Sequence, residues 1–142
     1  MKKMILTLVV ALMTVGAFAQ EIVSEKLLDA IAMQESKNNP NAKGDKRKGK
    51  YMAIGAYQLW DIYVQDVNRF AKTKYTSADR WNPEISREIV RKYLTYYGKR
   101  YERLTGKKAT DEVLARIHNG GPNGFKKSAT DKYWNEIQSY LK

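Results

Sequence analysis

The chain has 142 residues, with 26 Lys and Arg against 15 Asp and Glu, one His and no Cys. That inventory excludes disulfides, thiolate catalysis and cysteine-ligated metal, and a lone histidine gives no basis for a metal centre or another cofactor. A net charge of +11 either draws polyanions such as wall polymers, anionic lipid surfaces or nucleic acid, or serves solubility alone.

Residues 1–19 set Lys2 and Lys3 before an apolar run from Met4 to Gly16 and finish on Ala17-Phe18-Ala19, the layout of a secretory signal peptide. The run is shorter than the roughly 20 residues of a membrane span, so no stable membrane anchor is expected. Residues 20–142 are left as one exported domain, periplasmic or secreted, expected to act as a monomer. Hydrophobic spacing near 3.6 residues dominates it, and the fold class is mainly α.

A first helix starts at Ser24 as N-cap, carries Leu27, Leu28 and Ile31 on one face, and stops near Asn38-Asn39-Pro40. Residues 41–50 hold two glycines and the cations Lys43, Lys46, Arg47, Lys48 and Lys50 before the apolar Tyr51-Met52-Ala53-Ile54, which predicts a basic loop or small hairpin. Leu59, Ile62, Tyr63, Val67 and Phe70 predict a helix over about 58–70, and 72–80 reads as connection. Asn82-Pro83-Glu84 opens a third helix with Ile85, Ile89, Tyr93 and Leu94 inward and a stop at Gly98. Thr110-Asp111-Glu112 opens a fourth through Ile117, which runs into the turn-rich segment 118–124. Thr130-Asp131 opens the last, with Trp134, Ile137 and Leu141 inward.

Glu35 follows Ile31 by four and Leu28 by seven, so its carboxyl lies at the C-terminal end of an apolar face. Desolvation and the negative end of the helix dipole both disfavour the anion there, as suits an acid that protonates a glycosidic oxygen. His118 follows Leu114 by four, a spacing that by itself fits a packed helix-end residue. Tyr93, Tyr96, Tyr97 and Tyr101 could stack on sugar rings, and Tyr93, with Tyr97 at i+4 on the same stripe, is the groove candidate.

Ile31-Ala32-Met33-Gln34-Glu35-Ser36, Gly55-Ala56-Tyr57-Gln58-Leu59, Ala115-Arg116-Ile117-His118-Asn119-Gly120-Gly121-Pro122-Asn123-Gly124, and Thr130 with Tyr133-Trp134 follow one another along the chain. In that order they resemble the lysozyme-like superfamily, and the last two blocks resemble invertebrate-type (destabilase-like) lysozymes. The first two, with Asn39-Pro40-Asn41-Ala42, are similar to soluble lytic transglycosylases and goose-type lysozymes. The resemblance implies a lysozyme-like helical domain, in which residues 41–50 form the small β-hairpin or loop after the first helix. It implies cleavage of the β-1,4 bond between N-acetylmuramic acid and N-acetylglucosamine in peptidoglycan glycan strands.

It implies Glu35 as general acid, Ser36 beside it as support and substrate contact, Gln58 lining the groove, and His118, Asn119 and Gly120 in a turn facing sugar. It also raises Asp45 as second carboxylate, although Lys43, Lys46, Arg47 and Lys48 around it equally fit a solvated basic turn. Gly55 and Gly120 suit close backbone approach. Three readings stay open: a lysozyme, a lytic transglycosylase whose single Glu yields 1,6-anhydro products, and a non-catalytic glycan-binding or inhibitory protein. No motif for specific nucleic-acid recognition is present.

Overall fold

The structure is a computed structural model that describes residues 21–142; the signal-peptide reading of residues 1–19 lies outside the described residues. Five helices, α1 (Glu25–Ser36), α2 (Asp61–Ala71), α3 (Pro83–Thr105), α4 (Asp111–Gly120) and α5 (Asp131–Ile137), surround one core. Between α1 and α2 stands a single antiparallel hairpin, β1 (Lys46–Arg47) and β2 (Lys50–Tyr51). The mainly helical architecture with a hairpin after the first helix is the one expected.

Capping side chains set several of the helix starts. Ser24 Oγ accepts from the Leu27 amide at 3.1 Å, Asn82 Oδ1 from the Glu84 and Ile85 amides at 3.0 Å, and Thr110 Oγ1 from Val113 at 3.3 Å; each satisfies amides that a helix start leaves without partners. Helix α1 ends in a left-handed residue, Lys37, whose amide reaches Met33 O while that of Asn38 reaches Ala32 O, both at 3.0 Å. Pro40 follows where the helix has already closed.

The core holds the expected Leu27, Leu28 and Ile31 of α1, Val67 of α2, Ile89 and Leu94 of α3, Leu114 and Ile117 of α4, and Ile137 of α5, joined by Val64 and Val90, whereas Ile62, expected on the same stripe as Val67, is 66% exposed. Trp134 and Leu141 pack against it from its edge, half-buried.

Three boundaries differ from expectation. Helix α2 begins at Asp61 because residues 54–59 form a tight turn closed by paired Ile54 and Leu59 backbone bonds, with Gln58 in the left-handed region. Gly98 does not stop α3, which continues to Thr105. A Cβ at Gly98 would lie 2.8 Å from Leu114 Cδ2, so this glycine lets α4 pack closely against α3 rather than ending the helix. The stretch 72–80 is not mere connection: a 3₁₀ turn, Ser77–Trp81, is capped by Thr76 and Asp79 and places Arg80 inside the protein.

Arg80 is 5% exposed. Its guanidinium donates to Met52 O at 3.1 Å, Leu59 O at 2.9 Å, Ser77 O at 3.0 Å and Ser77 Oγ at 2.7 Å, and pairs with Asp61 at 3.2 Å. It thereby locks the 52–59 turn, which forms one wall of the cleft, to the 3₁₀ turn and the start of α2. Gly55 completes this joint, since a Cβ there would lie 2.0 Å from Arg80 O.

Candidate active site

A cleft of about 1220 Å³ runs between the hairpin side and the ends of α1 and α4. Glu35, Asp45, Gln58, Tyr93, His118, Asn119 and Gly120 all line it, together with Trp60, Tyr63, Asp66 and Arg69. Of the sequence-derived site residues only Ser36 stands apart from the lining.

Glu35 occupies the last turn of α1 with its side chain 19% exposed. Tyr133 Oη, from α5, donates to Glu35 Oε1 at 2.8 Å. His118 Nε2, from α4, lies 3.4 Å from the same oxygen, and His118 Nδ1 is 3.1 Å from Tyr63 Oη of α2. Burial first and the Glu35 charge second push the Tyr133 hydroxyl well above its ordinary pKa, and burial does the same for Tyr63, so both keep their protons. In the tautomer in which Tyr63 donates to Nδ1, the imidazole proton sits on Nε2 and faces Glu35. Tyr133 thus donates to Oε1 with His118 Nε2 close beside it, and among the described residues no hydrogen bond reaches Oε2.

His118 is therefore not in a sugar-facing turn. It lies in the last turn of α4 with its side chain 4% exposed, directed at Glu35 rather than at solvent. Asn119 and Gly120 do reach the cleft, but Gly120 is small for packing reasons: a Cβ there would meet Thr130 Cγ2 at 2.6 Å. Much of the motif 115–124 is structural in the same way. Ala115 and Ile117 are buried, and Arg116 ties α4 to Thr130 Oγ1 at 2.9 Å and Asp131 at 2.8 Å.

Ser36 is a correction of a related kind. Its hydroxyl donates to Ala56 O at 2.8 Å and accepts from the Asn39 amide at 2.9 Å, which fastens the end of α1 to the 55–59 turn and commits the group to backbone. Gln58 lines the cleft, but its amide nitrogen donates to Gly55 O at 2.9 Å and Ala42 O at 3.2 Å, so it braces the wall. Tyr93 lies under the cleft, stacked on Tyr63 with ring centroids 3.8 Å apart. The other tyrosines of that cluster are framework: Tyr96 stacks on Phe70 at 4.0 Å, Tyr97 donates to Asp66, and Tyr101 meets Phe125 edge-on at 4.9 Å.

Two carboxylates besides Glu35 line the cleft. Asp45 projects from the base of the hairpin, 67% exposed, with Arg47 at 3.9 Å. Asp66 is 20% exposed, with one oxygen held by Arg69 and the other by Tyr97.

The helical shell, the hairpin and an acid at the end of the first helix, facing a long groove, define a class of glycan-cleaving domain. The family model described as the transglycosylase SLT domain matches residues 15–141. A lysozyme of Ostrea edulis is 30% identical over 119 residues, covering 84% of this chain and 82% of its own length. Invertebrate-type lysozyme 6 of Caenorhabditis elegans is 34% identical over 128 residues, covering 86% and 90%. Among solved structures, Tapes japonica lysozyme superimposes with a TM-score of 0.67 at 30% identity, covering 85% of this chain and 93% of that one. Meretrix lusoria lysozyme in complex with Aeromonas hydrophila PliI does so with 0.67 at 30%, covering 86% and 93%. The chain belongs to the SLT/lysozyme-like family, and within it to the invertebrate-type lysozymes.

Proposed function

We propose that the protein is an exported lysozyme that cleaves the β-1,4 bond between N-acetylmuramic acid and N-acetylglucosamine in peptidoglycan, with Glu35 as general acid. The observation that carries this reading is the pairing of Tyr133 and His118 on Glu35 Oε1 at the cleft surface. With Oε1 accepting from Tyr133 and flanked by His118, a proton on the carboxyl resides on Oε2, the oxygen left to face a glycosidic bond. As that bond breaks, the proton passes to the leaving oxygen and Oε1 takes up the charge where both donors already point.

Asp45 is the second carboxylate in this reading. Asp66 is spent on Arg69 and Tyr97, whereas Asp45 lines the cleft with only a weak ion pair. It stabilises positive charge at the anomeric carbon or directs water to it. The apolar run 4–16 with its basic start supports export, and among the described residues no helix is long and apolar enough to cross a membrane.

The test is mass spectrometry of soluble products from purified peptidoglycan, comparing the protein with Glu35→Gln. Hydrated reducing ends, lost by at least about a hundredfold in the variant, are expected. Products ending in 1,6-anhydro-muramic acid would instead make it a lytic transglycosylase, and no products would leave a glycan binder.

A further inference from the structure

Lys48 and Gly49 are the two central residues of the hairpin turn, with φ of +48° and +79°. Positive φ at both is the type I′ pattern, whose first position favours Asn or Asp because a longer side chain gains nothing from the left-handed backbone and its Cβ is crowded. A lysine stands there instead. The register then sets Arg47 directly opposite Lys50, and like charges facing each other across a ribbon destabilise it.

The acid beside this pair, Asp45, approaches Arg47 no closer than 3.9 Å. Aromatic rings hold the cations in place: Arg47 lies over Trp60 at 5.1 Å, and Lys43 and Lys46 lie over Tyr51 at 5.3 and 5.5 Å. Backbone bonds from Gly44 to Ala53 O at 2.8 Å and from Met52 to Asp45 O at 2.7 Å continue the cleft wall into the hairpin. Trp60 and Asp45 themselves line the cleft. Two local preferences are thus overridden at one place, both in favour of positive charge, on a fixed rim beside the groove.

We propose that this hairpin is a docking rim for the free carboxylates of the peptide stems carried by the glycan strand. The proposal rests on the reading of the cleft as a peptidoglycan site. Stems leave the strand at alternate sugars, so a strand in the groove projects its carboxylates past the rim, where Arg47, Lys48 and Lys50 stand. The Arg47 fork suits bidentate carboxylate binding, and the two lysines act as point charges.

The test is the double variant Lys48→Asn/Lys50→Thr, which gives the turn its preferred residue and removes the cross-strand repulsion, so its Tm is equal or higher. On purified peptidoglycan freed of phosphate polymers, at low salt, KM should rise about fivefold with little change in kcat. On the same peptidoglycan with its carboxyls capped as neutral amides, the variant and the unaltered protein should have equal KM. No rise on the native substrate, an equal rise on the capped one, or a rise seen only when phosphate polymers are left on the wall overturns the proposal. Cosedimentation of both proteins, each carrying Glu35→Gln, with native and capped peptidoglycan reads the same difference as binding. It decides the role of the hairpin even if the cleavage reading of the cleft fails.

Discussion

At the residue scale the site centres on one oxygen. Tyr133 and His118 approach Glu35 Oε1 from α5 and α4, and the Tyr63 hydroxyl lies at the other imidazole nitrogen. Removing the 2.8 Å donor with Tyr133→Phe should lower kcat about tenfold, as loss of a hydrogen bond to a charging group does. Sedimentation with peptidoglycan should be unchanged, because Tyr133 holds the acid rather than the sugar. His118→Ala should lose at least as much and His118→Gln recover part of it, since an amide NH₂ can still donate; equal rates for Ala and Gln would remove the donor role from His118. That Glu35 lines the cleft follows from its place on an apolar stripe, whereas the motif around His118 pointed to a turn and the structure places it in α4 beside Glu35. Tyr63 and Tyr133 were not read as site residues, because their partners lie 55 and 98 positions away in the chain and each also fits an ordinary core stripe.

At the element scale the cleft wall depends on a residue that sequence reading passes over. Arg80 looks like one more cation in a polar connection, yet five contacts from its guanidinium join the 52–59 turn, the 3₁₀ turn and the first residue of α2. Arg80→Met removes a donor from three backbone carbonyls, at a cost of about 3 kcal/mol, and thermal unfolding should show a Tm lower by roughly 10 °C. The lost ordering also reaches the site through Gln58, so activity should fall further than stability accounts for at 25 °C. The starts of α1, α3 and α4 were readable because capping chemistry is local. The end of α3 was not, since glycine in mid-helix serves a contact with Leu114 that only the packed neighbour reveals.

At the scale of the whole molecule, a fold without disulfides is clamped by ion pairs between its first and third helices. Arg87 reaches Glu25, Asp29 at 2.6 Å and the Tyr57 hydroxyl at 3.0 Å, and Arg91 reaches Glu21 and Glu25. The hydrogen bonds from Arg87 and then Arg91 hold the Glu25 carboxyl below its ordinary pKa. A carboxyl depressed in the folded state stabilises it fully above the unfolded value of about 4.3, and that contribution disappears as pH falls through the depressed value. Tm measured downward from pH 6 should therefore drop below about pH 4.5, and Glu25→Gln should flatten that drop while lowering Tm at neutral pH. Added salt at neutral pH should weaken the same clamp, because its acids are exposed.

Sequence alone determined the helical class, the order of the five helices, a turn-rich basic segment between the first two, most of the core and the place of a carboxyl at the end of α1, because each follows from periodicity, capping and turn chemistry within a few residues. Tertiary structure decided that Ser36 and Gln58 brace the wall, that Arg69 and Tyr97 occupy Asp66, that Asp45 lines the cleft, and that His118 lies beside Glu35. Those roles depend on which atoms from distant helices meet, and no local pattern encodes that meeting.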